Sequence, residues 1–498
     1  MGIVQRDSFR ITIISYIGAV IGYLNKVFLF TNFLTTEQVG LANIMITISV
    51  IYAQVAAMGS YNITLRFFPF FNDHSKKHHG FLFAMMVLIS AGFIIATLLF
   101  AILQKPFELL YSNSSPLLVE YIWFVVPMAL ASLFYQFFES YLRSLHKNTA
   151  PSVIHELLLR IFITITILLF ALNLISFPGF VALYVAVNCL PAIVIVIYTL
   201  IIKQLLIHPT ITSSVRRLGK IMVVYGLFSL FNNLSAMLLS SIDSLMVAGM
   251  IDLGTAGVYT TMVFITSVLL IPYRSMLKVS GPIVAKYWKS RDLRSMQNIY
   301  QKATATNMVI GGSMFLLIWV NLDSIFMLMP GDYEAGRFVF LFLGMGKLFD
   351  MAAGLNGTIL LTSKKFRYDL YFTIVLVVVA VITNLILIPI LGMNGAALAS
   401  MFSMIAFNLI RIIFIRVHFR LQPFEWRQVP VPIILFAIMM ISGAIGQIAN
   451  LFVDVLLRSS AAALLFIIPV YFLNISGDIN ALLAKYKKML FKDADPQN

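Results

Sequence analysis

SSIDSLMVAGMIDLGTAGVYTTMVFITSVLLIPYRSMLKVSGP, Ser240 to Pro282, decides how the rest of the chain is read. It reads as the end of one apolar helix, a short turn at Asp252–Gly254, and a second long apolar helix. Asp243, Arg274 and Lys278 are the charges within the apolar runs. The last two are four residues apart, so on a helix they share a face. A charge at the centre of a membrane-length helix costs ~2.5–3.5 kcal/mol on insertion scales. Such residues are expected to face a protein interior or a wet cavity.

The bulk composition extends this reading to the whole chain. Of 498 residues, 60% are hydrophobic and 11% charged, with a mean hydropathy of +0.94. Soluble domains average about 25% charged residues. Apolar runs recur along the full length, which predicts an all-α polytopic membrane protein rather than a soluble domain on an anchor. The first apolar run is too long for a cleavable signal and lacks a clear small-residue cleavage site, so helix 1 is expected to be retained. A single cysteine, Cys189, excludes an internal disulfide and any cysteine-based metal site. The net charge of +15 reflects topology, not nucleic-acid binding.

About fourteen spans are predicted. They cover 9–34, 41–70, 79–104, 117–142, 152–175, 177–202, 221–250, 254–284, 303–326, 334–362, 368–391, 393–419, 429–453 and 457–475. With the N-terminus in the cytoplasm, 25 of the 35 Lys and Arg fall on inside segments. Three fall outside (Lys105, Arg337 and Arg458) and seven lie within spans. This bias fixes an even number of spans with both termini cytoplasmic. A weak repeat accompanies it. Gly40-Leu41 precedes Gly257-Val258 by 217 residues, and His146-Lys147-Asn148 precedes Ser363-Lys364-Lys365 by the same interval. The expected organisation is a six-helix lobe over 1–209, a second over 210–421, and two further helices with a basic tail over 422–498.

Three stretches resemble one family. They are Phe33–Arg66 (FLTTEQVGLANIMITISVIYAQVAAMGSYNITLR), Ile242–Trp288 with its Asp, AGVY step and proline-bearing helix, and Asn384–Ser400 (NLILIPILGMNGAALAS). Together they resemble the lipid-linked oligosaccharide flippases (Wzx type) of the multidrug/oligosaccharidyl-lipid/polysaccharide exporter superfamily. The resemblance implies two six-helix bundles around a central cavity that alternates its opening. It implies an undecaprenyl-pyrophosphate-linked sugar unit as substrate, the bacterial inner membrane as location, and polysaccharide polymerase machinery as a further partner. The peptidoglycan-precursor flippase of that superfamily also carries two extra C-terminal helices.

Pyrophosphate is answered by Arg or Lys through charge-assisted hydrogen bonds. The cations within spans are Lys26, Arg66, Arg160, Arg274, Lys278, Lys347 and Arg411, against the acids Glu139, Glu156, Asp243 and Asp350. Arg66, Lys278 and Arg411 lie near cytoplasmic ends, where long side chains can snorkel. Pro272 is expected to break the helix that carries Arg274. Lys26, Arg274 and Lys347 form the expected headgroup set, with Arg66 and Arg160 behind them. The resemblance supports cavity cations on spans 1 and 8, which are Lys26 and Arg274 here.

Local pairing is the competing reading for two of these: Glu156 with Arg160, and Lys347 with Asp350. Asp243 could tether Lys26, its equivalent at the repeat interval, or carry a coupling H+ or Na+. Asp350 and Glu139 are further coupling or gating candidates. His74, His78 and His79 are read as a solvated basic loop, and His155 as part of the cytoplasmic mouth. Tyr61, Tyr135, Tyr259 and Tyr273 are read as packing, with sugar stacking as the alternative. No P-loop and no nucleophile–base constellation is present, so no enzyme, cofactor or metal is expected. The competing functions are a cation-coupled drug antiporter of the same superfamily and a membrane glycan polymerase.

Overall fold

The computed structural model describes residues 3–207, 209, 212–444 and 450–481. The basic tail beyond 481, with Lys485, Lys487, Lys488 and Lys492, lies outside the described residues. All the regular structure described is helical. Twelve single helices are long and apolar enough to cross a membrane, and two bent helix pairs raise the number to fourteen. In chain order they are α1 (Ile13–Phe33), α2 (Thr36–Ala56), α3 (Lys77–Tyr111), α4 (Pro116–Ser144), α5 (Thr149–Ala171), α6 (Phe177–Ile201) and α7 (Val215–Met250). Then come α8 (Leu253–Ser267 with Leu270–Ser290), α9 (Leu293–Val320), α10 (Gly331–Ala352 with Asn356–Thr362), α11 (Arg367–Leu391), α12 (Met393–Phe419), α13 (Trp426–Gly443) and α14 (Leu451–Phe472).

The predicted repeat is visible in these boundaries. α2 and α8 start 217 residues apart, α3 and α9 216, α5 and α11 218, and α6 and α12 216.

The chain divides into two compact units, Met1–Thr261 and Met262–Asn498. In the first, α2 is the central helix and packs against α3, α4 and α7. A capping box starts it: the Thr35 hydroxyl accepts from Gln38 N at 3.2 Å, while Thr35 N donates to Gln38 Oε1 at 3.1 Å. It ends where Met58 and Gly59 turn to φ +49° and +77°. A Cβ on Gly59 would strike the Gly226 backbone of α7, so the turn needs glycine for its conformation and for the close approach. α1 and α5 each contain a π-helical turn, at Leu24–Leu29 and Ile154–Leu158. Such turns are uncommon and concentrate at functional sites.

In the second unit α9 is the central helix, touching α8, α10, α13 and α14. Val309, Leu316 and Val320 of α9 bury against Val431 and Ile438 of α13 and Ala462, Phe466 and Val470 of α14. The two helices beyond the repeat are therefore packed on this unit's core. α8 bends by 49° between Ser267 and Leu270. This is the break expected from Pro272, which offers no N–H to the Val268 carbonyl one turn back and clashes with it. α10 bends by 51° before Asn356, at Gly354 with φ +66°.

Large apolar side chains point outward, among them Ile94, Leu98 and Ile102 of α3 and Val378, Ile382 and Leu385 of α11. Hydrocarbon around the helices makes this arrangement favourable, and the buried polar groups then mark where the work is done.

Candidate functional site

In the first unit, Lys26 sits in the π turn of α1. Its Nζ donates to Asn43 Oδ1 of α2 at 2.7 Å. Asn43 Nδ2 in turn donates to the Thr260 hydroxyl of α8 at 3.0 Å. Beside this chain, a Cβ on Gly40 would strike the Leu253 carbonyl, and a Cβ on Gly257 the Thr36 carbonyl. Both contacts join residues at the repeat interval to a partner's first turn, so the two helices meet backbone to backbone with near two-fold reciprocity. Asp243, the repeat equivalent of Lys26, is buried, and Tyr259 Oη donates to its Oδ2 at 3.4 Å.

Arg160 is committed to structure. It pairs with Glu156 at 2.5 Å and donates to the Gly18 carbonyl of α1. Gly22 leaves room for its guanidinium. Its own carbonyl accepts from Asn25 Nδ2 at 2.9 Å, and Thr164 closes the loop onto Asn25 at 2.8 Å. Glu139 is likewise paired, with Arg143 at 2.7 Å. Arg66 is different. It is exposed, makes no hydrogen bond or ion pair to a described residue, and lies over the Tyr225 ring at 4.5 Å.

In the second unit the competing reading, a Lys347–Asp350 pair, does not hold. Lys347 Nζ instead reaches α8, donating to the Thr266 hydroxyl at 2.6 Å and the Val263 carbonyl at 3.2 Å. Asp350 accepts from Asn408 Nδ2 of α12 at 3.0 Å, and Asn408 Oδ1 accepts from Asn356 at 2.7 Å. Neighbouring helices outcompete the helix-local partner because a buried lysine needs acceptors wherever packing supplies them. Arg274 and Lys278 are exposed on one face of α8, with no hydrogen bond or ion pair to a described residue. Arg274 lies within electrostatic reach of both Lys347 and Asp350.

Other expectations are corrected. Arg411 does more than snorkel: it holds Asp369 of α11 at 2.6 Å in a buried pair, with its guanidinium 3.8 Å from the Phe407 ring centre. Asp369 was absent from the acids read within spans. Arg458, read as an outside residue, lies inside α14 and pairs with Asp454 at 2.9 Å, both buried. The two charges neutralise each other one turn apart, so the helix begins at Leu451 rather than at 457. His78 is not solvated: it is 1% exposed and packs against Phe68 and Tyr141 at 5.0 and 6.2 Å. The four tyrosines are buried, and Tyr135 and Tyr273 donate to the Pro151 and Gly354 carbonyls at 2.9 Å each. His155 is exposed and stacks on Tyr135.

Once these pairs are formed, Arg66, Arg274, Lys278 and Lys347 have no carboxylate within ion-pair distance among the described residues. The second unit thus carries three cations, two exposed on α8 and one buried on α10, that no described carboxylate neutralises at ion-pair distance.

The fold is that of known exporters. The solved structure of the lipid II flippase MurJ in an inward closed conformation matches with a TM-score of 0.71 at 14% identity, over 97% of this chain and 99% of that one. An inward-facing multidrug resistance MATE family transporter of the MOP superfamily matches at 0.61 and 17% identity, over 83% and 98%. A MOP superfamily transporter from Pyrococcus furiosus matches at 0.52 and 15% identity, over 84% and 96%. No curated protein sequence matches this one. These matches show the fold, an all-α multi-span membrane protein with the architecture of those structures. Residues 4–288, more than half of the chain, match the family model described as polysaccharide biosynthesis protein, and the chain belongs to that family.

Proposed function

We propose that this protein flips an undecaprenyl-pyrophosphate-linked oligosaccharide unit across the bacterial cytoplasmic membrane by alternating access, for assembly of a cell-surface polysaccharide. The observation that carries the reading is the exposed pair Arg274 and Lys278, with no hydrogen bond or ion pair to a described residue, Arg274 lying within electrostatic reach of the buried Lys347. A diphosphate has the charge and the acceptors to occupy them. Family membership supports the glycan, and the match over 97% of the chain to a lipid flippase supports a lipid-linked form of it. Both termini face the cytoplasm in this reading, with lobes over 1–209 and 210–421 and a C-terminal segment over 422–498. The charged interior serves binding and movement rather than bond chemistry, and polymerase machinery receives the flipped unit.

Asp350 is the preferred carboxylate for H+ or Na+ coupling, because its one hydrogen-bond partner is the neutral Asn408. Asp243 is the second choice.

Deleting the gene and measuring the undecaprenyl-linked pool by mass spectrometry tests the function. Accumulation of one lipid-linked oligosaccharide at the cytoplasmic face is expected. An unchanged pool with altered drug or salt sensitivity would favour an antiporter. Exported single units left unpolymerised would favour a polymerase.

A further inference from the structure

The Lys26–Asn43–Thr260 chain joins a candidate headgroup cation to a backbone-to-backbone helix contact in its unit. In the orientation proposed above, α2 and α8 both begin at the outer face, and near their starts they meet through Gly40 and Gly257. Asn43 lies one turn further in. Its two hydrogen bonds fix its amide plane, the oxygen toward Lys26 and the nitrogen toward Thr260. Asn43 is 8% exposed, so its oxygen has little water to turn to.

We propose that Lys26, Asn43 and Thr260 form a latch that keeps the outer ends of α2 and α8 together until an anionic headgroup reaches Lys26. This rests on the flippase reading above. A diphosphate oxygen is a stronger acceptor for an ammonium than a neutral amide oxygen. When Lys26 turns to the phosphate, Asn43 Oδ1 is left buried without its charged donor, and a buried acceptor without a donor is unfavourable. Separation of α2 from α8 relieves this by admitting water. The headgroup then binds the open form better than the closed one, which is what a ligand needs in order to shift a conformational equilibrium. The glycines explain why the latch is sensitive. Backbones this close gain contact over a short seam and lose it together when the seam parts.

The test uses the full chain in lipid nanodiscs, with Cys189→Ser as background and spin labels on Glu37→Cys and Thr255→Cys. Undecaprenyl pyrophosphate is expected to add a population of longer label separations, and inorganic pyrophosphate alone to do the same at higher concentration. Lys26→Met leaves Asn43 Oδ1 without its charged donor, so it is expected to show the long population without ligand and no further response to it, whereas Lys26→Arg is expected to keep the ligand response. Asn43→Leu and Thr260→Val are each expected to show the long population without ligand; the second removes the same bond from the other helix should the first fail to fold. A seam that stays closed without ligand in Lys26→Met, or a closed seam in Thr260→Val, overturns the latch. Native mass spectrometry of the same samples separates the two levels. If the lipid binds the native chain while the unliganded Lys26→Met seam stays closed, the latch alone falls. If the lipid does not bind, the flippase reading falls with it.

Discussion

Asn43 and Thr260 stand 217 residues apart and share a hydrogen bond of 3.0 Å. The interval is that of the sequence repeat, so equivalent positions of two duplicated helices touch each other. Contact at equivalent positions follows when a near two-fold axis passes between the helices, and the reciprocal Gly40–Leu253 and Gly257–Thr36 approaches meet the same condition. The first prediction concerns these glycines. Gly40→Val and Gly257→Val each place a branched side chain against a carbonyl. Overpacking of this kind costs about 1–3 kcal/mol. Thermal unfolding of the purified protein should fall for both variants, and Gly219→Val, with open space around its Cβ, should not change it.

The Arg411–Asp369 pair gives a second prediction. Removing one partner strands a buried charge, at about 3–5 kcal/mol. Arg411→Ala should therefore lower stability markedly, while Arg411→Met combined with Asp369→Leu should recover most of the loss. A double-mutant cycle by chemical denaturation measures both. Equal losses in the single and double variants would contradict the pairing.

Arg274 and Lys278 should behave in the opposite way. Neither supports the fold through a hydrogen bond or ion pair to a described residue, so Arg274→Ala and Lys278→Ala should insert and unfold like the native chain. Each charge-assisted contact to a phosphate is worth about 1.5–3 kcal/mol. Polysaccharide export should accordingly fall roughly tenfold or more per variant. Arg160→Ala should show the reverse pattern, losing stability before function, because its guanidinium is held by Glu156 and Gly18.

A fourth prediction concerns pH. Asp292, in the turn between α8 and α9, caps α9 by accepting from Ser295 N at 3.0 Å. The Ser295 hydrogen bonds hold its carboxyl below the usual aspartate value. A lowered folded value means that the cap contributes at every pH above the ordinary aspartate range and is lost as pH falls through the lowered one. Amide exchange at Arg294–Met296 should stay slow at neutral pH and speed up on acidification. In Asp292→Asn the low-pH step should vanish.

Much of the fold was legible in the sequence because membrane helices write themselves as long apolar runs with basic loops on one side. The Pro272 break and the repeat were legible for similar reasons, one local and one periodic. The partners were not. Helix-local spacing suggested Lys347 with Asp350, yet Lys347 found Thr266 on another helix, 81 residues away. Arg411 found Asp369 42 residues away, a separation that no periodicity marks. Arg458 was misplaced because it and Asp454 look like a loop when read singly and neutralise each other only once folded. The missed Asn43–Thr260 contact did have a signal: three residues added to both members of the Gly40–Gly257 pair reach it.

The distribution of basic residues has a chemical consequence for intact cells. Among the lysines, only Lys105, exposed near the end of α3, is expected on the outer face. A membrane-impermeant amine reagent applied from outside should therefore tag a single site, and Lys105→Arg should make the protein invisible to it. On opened membranes the same reagent should decorate the opposite face many times over. If the chain is threaded as proposed, one side is almost silent to amine chemistry, and that silence would read out which way the chain was threaded.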